Sequence, residues 1–108
     1  SAAIEMIRRR AGAPGLDPAR VAEQLGMSVR YLHRLLEPTG RTFSEHLLEH
    51  RLQYALAKLR DPECRLKISD IARDCGFSDI SHFNRSFRRA FSDTPYGVRF
   101  RAACRRNG

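Results

Sequence analysis

The sequence predicts an all-α fold of about seven helices, grouped as two helix-turn-helix subdomains joined by a long central helix. Three observations predict it. Apolar residues recur at helical spacing between recognisable start and stop residues along the chain. No segment shows a convincing period of two, so no strand is expected. One passage also occurs twice, about fifty residues apart, as a helix, a Gly-centred turn and an Arg-bearing helix.

The first helix is expected over 4–11, where Ile4, Met6 and Ile7 precede Arg8-Arg9-Arg10, and it ends at Gly12-Ala13-Pro14-Gly15. Asp17-Pro18 starts the second: an N-cap acceptor is followed by a proline whose missing N–H costs nothing there. This helix runs to about Leu25, buries Val21, Ala22 and Leu25, and closes on a left-handed Gly26. Ser28 caps the third helix, with Tyr31/Leu32 and Leu35/Leu36 at helical spacing, and Pro38-Thr39-Gly40 stops it. Thr42 or Ser44 begins a longer helix to about Arg60, with an apolar stripe of Leu48, Leu52, Ala55 and Leu59 widened by Phe43, Leu47 and Leu56. At 1.5 Å per residue it spans roughly 25–27 Å. Asp61-Pro62 ends it. Ser69 is expected to cap the fifth helix, with Ile68 before it and Ile71, Ala72 and Cys75 inside. After the Gly76-Phe77 turn, Ser78 or Asp79 caps the sixth, where Phe83, Phe87 and Phe91 recur every fourth residue. Thr94-Pro95 starts a short seventh helix that trails into Arg101–Arg106.

The repeat is more than a shared rhythm. Val21 to Ser28 match Ile71 to Ser78 at an offset of fifty, and Leu32, Arg34 and Leu36 match Phe83, Arg85 and Phe87 at fifty-one. Thr42 then matches Thr94 at fifty-two. Any two amphipathic helix pairs look alike to a degree, but here Ala, Gly, Ser and Arg positions recur in one order.

At 108 residues the chain is expected to form one domain, 1–108, with subdomains at 4–41 and 61–108 and a linker helix at 42–60. A hydrophobic fraction of 42% suffices for a core. The net charge is +8, almost all of the positive charge is Arg, and the pI is about 10.4. That balance favours an anionic partner, nucleic acid before an acidic membrane or protein, over a surface that is merely basic. Cys64, Cys75 and Cys104 are an odd number without CxxC spacing, so neither a zinc site nor a disulfide framework is expected; they read as buried or incidental thiols in a reducing compartment. No apolar run approaches the ~20 residues of a membrane span, no signal peptide is visible, and the expected localisation is cytoplasmic. The opening Ser1-Ala2-Ala3, without an initiator Met, reads as a fragment of something longer. Catalysis is not expected: Ser, His, Asp and Glu sit on helix caps and surface faces, and no GxSxG, HExxH or phosphate loop occurs. No metal and no cofactor are expected either. The main alternative is a non-specific basic helical module that binds nucleic acid or an acidic protein.

The second half carries a run of Ile71-Ala72, Cys75-Gly76-Phe77-Ser78-Asp79, Ser81-His82-Phe83, Arg85, Phe87-Arg88-Arg89 and Phe91, followed by Thr94-Pro95 and Arg99. The first half carries Ala22, Leu25-Gly26-Met27-Ser28, Tyr31-Leu32 and Arg34-Leu35-Leu36, and the middle carries His46-Leu47, Arg51-Leu52, Ala55 and Leu59. Together these residues, from about Leu16 to Arg101, resemble the DNA-binding domain of the AraC/XylS family of bacterial transcription regulators. The resemblance implies two homeodomain-like helix-turn-helix subdomains, sequence-specific binding to double-stranded DNA, and a role in transcription as the C-terminal part of a larger regulator. It also implies a separate effector-binding or dimerising domain, RNA polymerase as a partner, and a place at the nucleoid. Three positions depart from the pattern. Ser92 stands where the family has Gly after the sixth helix, Val98 replaces an aromatic, and Ile80 occupies a position that is commonly polar.

In a helix-turn-helix the second helix enters the major groove by its N-terminal half. With Leu32, Leu35 and Leu36 facing inward, the base-contact candidates of the first unit are Arg30, His33 and Arg34. With Phe83 and Phe87 inward, those of the second are Ile80, Ser81, His82 and Arg85. Arg34 and Arg85 occupy equivalent positions, and arginine can donate two hydrogen bonds to guanine O6 and N7; the alternative for both is a phosphate-bound or solvated arginine. His33 and His82 are candidates for base contact, phosphate contact or packing. Ile80 suits a thymine methyl or nothing. Ser28 and Ser78 read first as caps and then, with Asn84, Arg88 and Arg89, as phosphate contacts. Arg88-Arg89 and Arg105-Arg106 otherwise add non-specific attraction or solubility. Arg51 reads as a structural residue more than a DNA contact. Reading heads about 34 Å apart would enter successive grooves on one face of the duplex, so a monomer would read a bipartite site, asymmetric because the two faces differ.

Overall fold

α1 (Ala2–Arg10), α2 (Pro18–Leu25), α3 (Val29–Leu36), α4 (Phe43–Arg60), α5 (Ile68–Asp74), α6 (Ile80–Phe91) and α7 (Pro95–Asn107) follow in chain order, with one 3-10 turn at Glu37–Thr39. The computed structural model describes residues 2–107, and the side chains of Arg106 and Asn107 are outside the described set. No strand occurs among the described residues, so the fold is all-α. The chain divides into two compact units, Ser1–His50 and Arg51–Gly108.

In the first unit α1, α2 and α3 pack pairwise. Asp17 caps α2 by accepting from the Arg20 N–H at 2.9 Å, Pro18 opens it, and Gly26 closes it at φ 69°. Ser28 caps α3 through the Tyr31 N–H at 3.1 Å. The core is aliphatic apart from Phe43: Ile7, Leu16, Val21, Ala22, Leu32, Leu36, Phe43 and Leu47 are buried, and Leu25 and Met27 pack half-buried against them. Leu35, expected inside, is 37% exposed, and its neighbour Tyr31 is exposed as well. An eight-residue helix buries only a narrow stripe, here Leu32 and Leu36 at i and i+4. α4 starts with a capping box: the Glu45 N–H donates to Thr42 Oγ1 at 3.1 Å and the Thr42 N–H to Glu45 Oε1 at 2.9 Å. That selects Thr42 over Ser44, and the Thr42 N–H, then the Thr42 hydroxyl, hold the Glu45 carboxyl below its ordinary pKa. Leu48, expected in the apolar stripe, is only half-buried. His46 is buried instead, with Nε2 2.8 Å from Thr39 Oγ1. Thr39 Oγ1 also lies 2.6 Å from the Leu36 carbonyl, to which its hydroxyl can donate.

In the second unit the α4 residues Leu52, Ala55, Leu56 and Leu59 are buried, together with Ile71, Ala72 and Cys75 and an aromatic series. Phe77 meets Phe83 edge-on at 5.1 Å, Phe83 lies 5.7 Å from Phe87, and Phe87 meets Phe91 edge-on at 4.7 Å. α6 packs on both α5 and α7. Ser69 does not cap α5: the N-cap position is Lys67, without a side-chain bond, and Ser69 lies inside the first turn. α7 is not short. Thr94 caps it through the Gly97 N–H at 2.9 Å, and it runs for 13 residues. Arg99 ties it to the preceding loop by donating to the carbonyls of Leu66 at 2.6 Å and Cys64 at 3.4 Å. Val98 is half-buried beside a solvent-open cavity of ≈ 140 Å³ that Leu56, Phe91 and Ala102 line together with the charged Arg60, Asp93, Arg101 and Arg105. Burial pushes the Cys75 thiol up to about 11, and its Sγ donates to the Ala72 carbonyl at 3.3 Å. Cys75 is buried, whereas Cys104 is exposed.

Ser92 ends α6 at φ 56°, ψ 29°, the only non-Gly residue with positive φ among those described. A side chain there is strained by about 1–2 kcal/mol. Ser92→Gly is therefore expected to stabilise the domain by about 0.5–1 kcal/mol, after the larger entropy of a glycine in the unfolded chain is subtracted. Thermal unfolding followed by circular dichroism checks it, and an unchanged or lower Tm refutes it.

Candidate nucleic-acid interface

The two turns that aim the second helices are built alike. In the first, the Gly26 N–H donates to Glu23 O at 3.1 Å and the Met27 N–H to Ala22 O at 2.9 Å. In the second, the Gly76 N–H donates to Arg73 O at 3.0 Å and the Phe77 N–H to Ala72 O at 2.9 Å. Each bond thus recurs fifty residues on, and each turn uses a glycine at positive φ, 69° and 102°, where a Cβ would be strained.

The slip of the repeat from fifty to fifty-one has a structural cause. Ser28 caps α3, but Asp79, not Ser78, caps α6 by accepting from the Ser81 N–H at 2.9 Å. The second turn is one residue longer, and the helices resume register beyond it. Leu32 N–H to Ser28 O at 3.0 Å in the first unit corresponds to Phe83 N–H to Asp79 O at 3.1 Å in the second. The expectation that Ser28 and Ser78 both cap therefore holds for Ser28 alone. Ser78 is exposed within the turn.

On α3, Arg30, His33 and Arg34 are exposed and line one open recess with Val29 and Glu37, a set spaced by three and four residues and hence on one helical face. Val29 is not among the residues expected from sequence; its spacing of four from His33 was the available signal. On α6, Ile80 is 42% exposed at the first position, and Ser81, Asn84, Arg85, Arg88 and Arg89 are exposed behind it. His82 is exposed, but its ring stands edge-on to Phe77 at 5.4 Å, so packing already engages part of it.

Four arginines elsewhere are engaged by carboxylates. Arg8 pairs with Glu5, Arg41 with Glu49, Arg73 with Asp70 and Arg101 with Asp93. The Arg101 guanidinium holds the Asp93 carboxyl below its ordinary pKa, as Arg8 does for Glu5. Among the described residues, Arg30, Arg34, Arg85, Arg88 and Arg89 form no such pair. Their guanidinium donors face water, available to an incoming anion or base edge. Arg51, by contrast, is half-buried, and burial lowers its pKa. No helix among the described residues is long and apolar enough to cross a membrane.

Comparison with known proteins bears on the same elements. A family model described as a helix-turn-helix domain matches residues 21–101. Over 80 residues the chain is 45% identical to the HTH-type transcriptional activator RhaS of Escherichia coli (strain SE11), covering 73% of this chain and 28% of the relative. It therefore spans a little over a quarter of the length of the curated relatives it matches. A DNA-binding transcriptional dual regulator from Escherichia coli K-12 superposes with TM-score 0.83 at 28% identity, over 94% of this chain and 89% of that one. A transcriptional regulator from Chromobacterium violaceum, of the AraC-type DNA-binding domain-containing proteins, does so with TM-score 0.83 at 31% identity, over 94% and 89%.

Proposed function

The chain belongs to the AraC/XylS family of helix-turn-helix DNA-binding domains, and from that premise we propose that it reads an asymmetric, two-part DNA site, with α3 in one major groove and α6 in the next. In this reading residues 42–60 link a first subdomain, 4–41, to a second, 61–108. Arg30, His33 and Arg34 meet base edges in one half-site, and Ile80, Ser81, His82 and Arg85 meet them in the other. Ser28, Ser78, Asn84, Arg88 and Arg89 hold phosphates. The observation that carries the reading is the pair of matched turns, each presenting a helix whose exposed face bears arginines without carboxylate partners. Asymmetry follows from the faces themselves: Arg30 and His33 in one stand where Ser81 and Asn84 stand in the other.

We further propose that the domain works as the C-terminal reading part of a larger cytoplasmic, nucleoid-associated regulator. Its remaining part would sense an effector or dimerise, and RNA polymerase would be its partner at the promoter. Selection of bound duplexes from a random pool tests the site: enrichment of two unlike half-sites one helical turn apart supports it, and a palindrome or no enrichment overturns it. The Arg88→Ala/Arg89→Ala double variant is expected to weaken all sequences alike. It should also flatten the dependence of log affinity on log salt by about 1.8, since each phosphate no longer neutralised lowers the slope by about 0.9. Anisotropy titrations across a salt series measure that slope, and an unchanged slope removes both residues from the phosphate set.

A further inference from the structure

Both reading helices open on the same kind of side chain. Val29 is the first residue of α3, directly after its cap Ser28, and Ile80 is the first of α6, directly after its cap Asp79. The offset of fifty-one, fixed by Leu32 with Phe83 and by the matching backbone bonds to Ser28 and Asp79, makes the two positions equivalent. Both side chains are β-branched aliphatics, and both are exposed, Val29 by 37% and Ile80 by 42%. Each leaves over a third of its surface to solvent at the very start of its helix, so part of its apolar surface stays available to a ligand, and alanine is the better helix former there.

The surroundings of Val29 place it on the reading face: it stands four residues from His33 and eight from Glu37, and lines one recess with Arg30 and Arg34. Ile80, Asn84 and Arg88 repeat that spacing on α6. The N-terminal residues of a recognition helix reach base edges. A short aliphatic side chain has no donor or acceptor, and the one apolar group that the four base pairs present in the major groove is the thymine 5-methyl.

We propose that Val29 is a specificity-determining residue: it packs on a thymine 5-methyl group in the first half-site as Ile80 does in the second. The two half-sites, otherwise unlike, then share a thymine at the same register relative to the base read by Arg34 or Arg85. The proposal rests on the two-half-site reading above.

The test uses the whole 108-residue chain. A duplex enriched from a random pool is resynthesised with deoxyuridine replacing thymine, one position at a time, which removes only the methyl. Loss of the methyl at the Val29 position is expected to weaken binding about fourfold, the worth of one buried methyl group, and likewise at the Ile80 position. Val29→Ala should make the first position indifferent to the methyl and leave the second sensitive; Ile80→Ala should do the reverse. Both variants keep helix propensity, and circular dichroism confirms their fold. Equal binding of thymine and deoxyuridine at the first position by the unaltered chain overturns the role of Val29 while the two-part site stands. Failure to enrich any two-part site overturns the functional reading, and this inference with it.

Discussion

Phe83→Ala is expected to destabilise the domain by about 3–5 kcal/mol, the range for emptying a buried aromatic site. Small domains have total stabilities of about 5–15 kcal/mol, so the loss is a large fraction of the total. Phe83 is fully buried and sits between Phe77 and Phe87 in the aromatic series of the second unit. Its removal deletes both ring pairings and leaves a void that rigid neighbours fill incompletely. The same side chain fixes the roll of α6: with Phe83 and Phe87 held inward, Ile80, Ser81, Asn84 and Arg85 are held outward. Phe83→Leu keeps most of the volume and should cost markedly less. Urea unfolding of the two variants against the parent measures both effects. A loss below about 1 kcal/mol for Phe83→Ala would refute the central place given to this ring.

The second large effect is on specificity. Arg85→Ala should relax base preference at one position of one half-site by about 1–3 kcal/mol, the worth of a bidentate contact to guanine O6 and N7. The other half-site should be unaffected. Arg34→Ala should do the same in the other half-site, since both arginines stand two residues after the buried Leu32 or Phe83. Both are exposed and free of carboxylates among the described residues, so neither substitution breaks an internal ion pair or empties the core. Affinities for a panel of single-base variants of the selected duplex separate the outcomes. If Arg85→Ala instead weakened every sequence equally and flattened the salt dependence, Arg85 would be a phosphate contact.

Much of this architecture was legible because the interactions that make it are local. A cap, a capping box and a glycine turn each involve residues two to five apart, so Asp17-Pro18, Ser28, Gly26 and Thr94-Pro95 declare themselves without knowledge of anything distant. The repeat was legible for the same reason, since each turn repeats the same short-range bonds. Legibility failed where two neighbours offered the same local chemistry. Ser78 and Asp79 are both capping residues, and the choice between them fell to the length of the turn. Ser69 suits a cap by residue type, yet the helix begins a residue earlier.

The sequence by itself determined the helices, their order, the two matched turns and the exposed arginines of α3 and α6, because helical period and capping are written within a few residues. The tertiary structure decided which members of each apolar stripe are inside. Leu35 and Leu48 are as apolar as Leu36 and Leu47, but burial depends on what packs against a face, and these two stand at its edge. It decided that His46 is buried with Thr39 as its partner, a pairing between two elements that no periodicity encodes. It also decided that Val29 shares a recess with Arg30, His33 and Arg34. A lone aliphatic residue after a cap carries no chemical signature until its exposure and its neighbours are known.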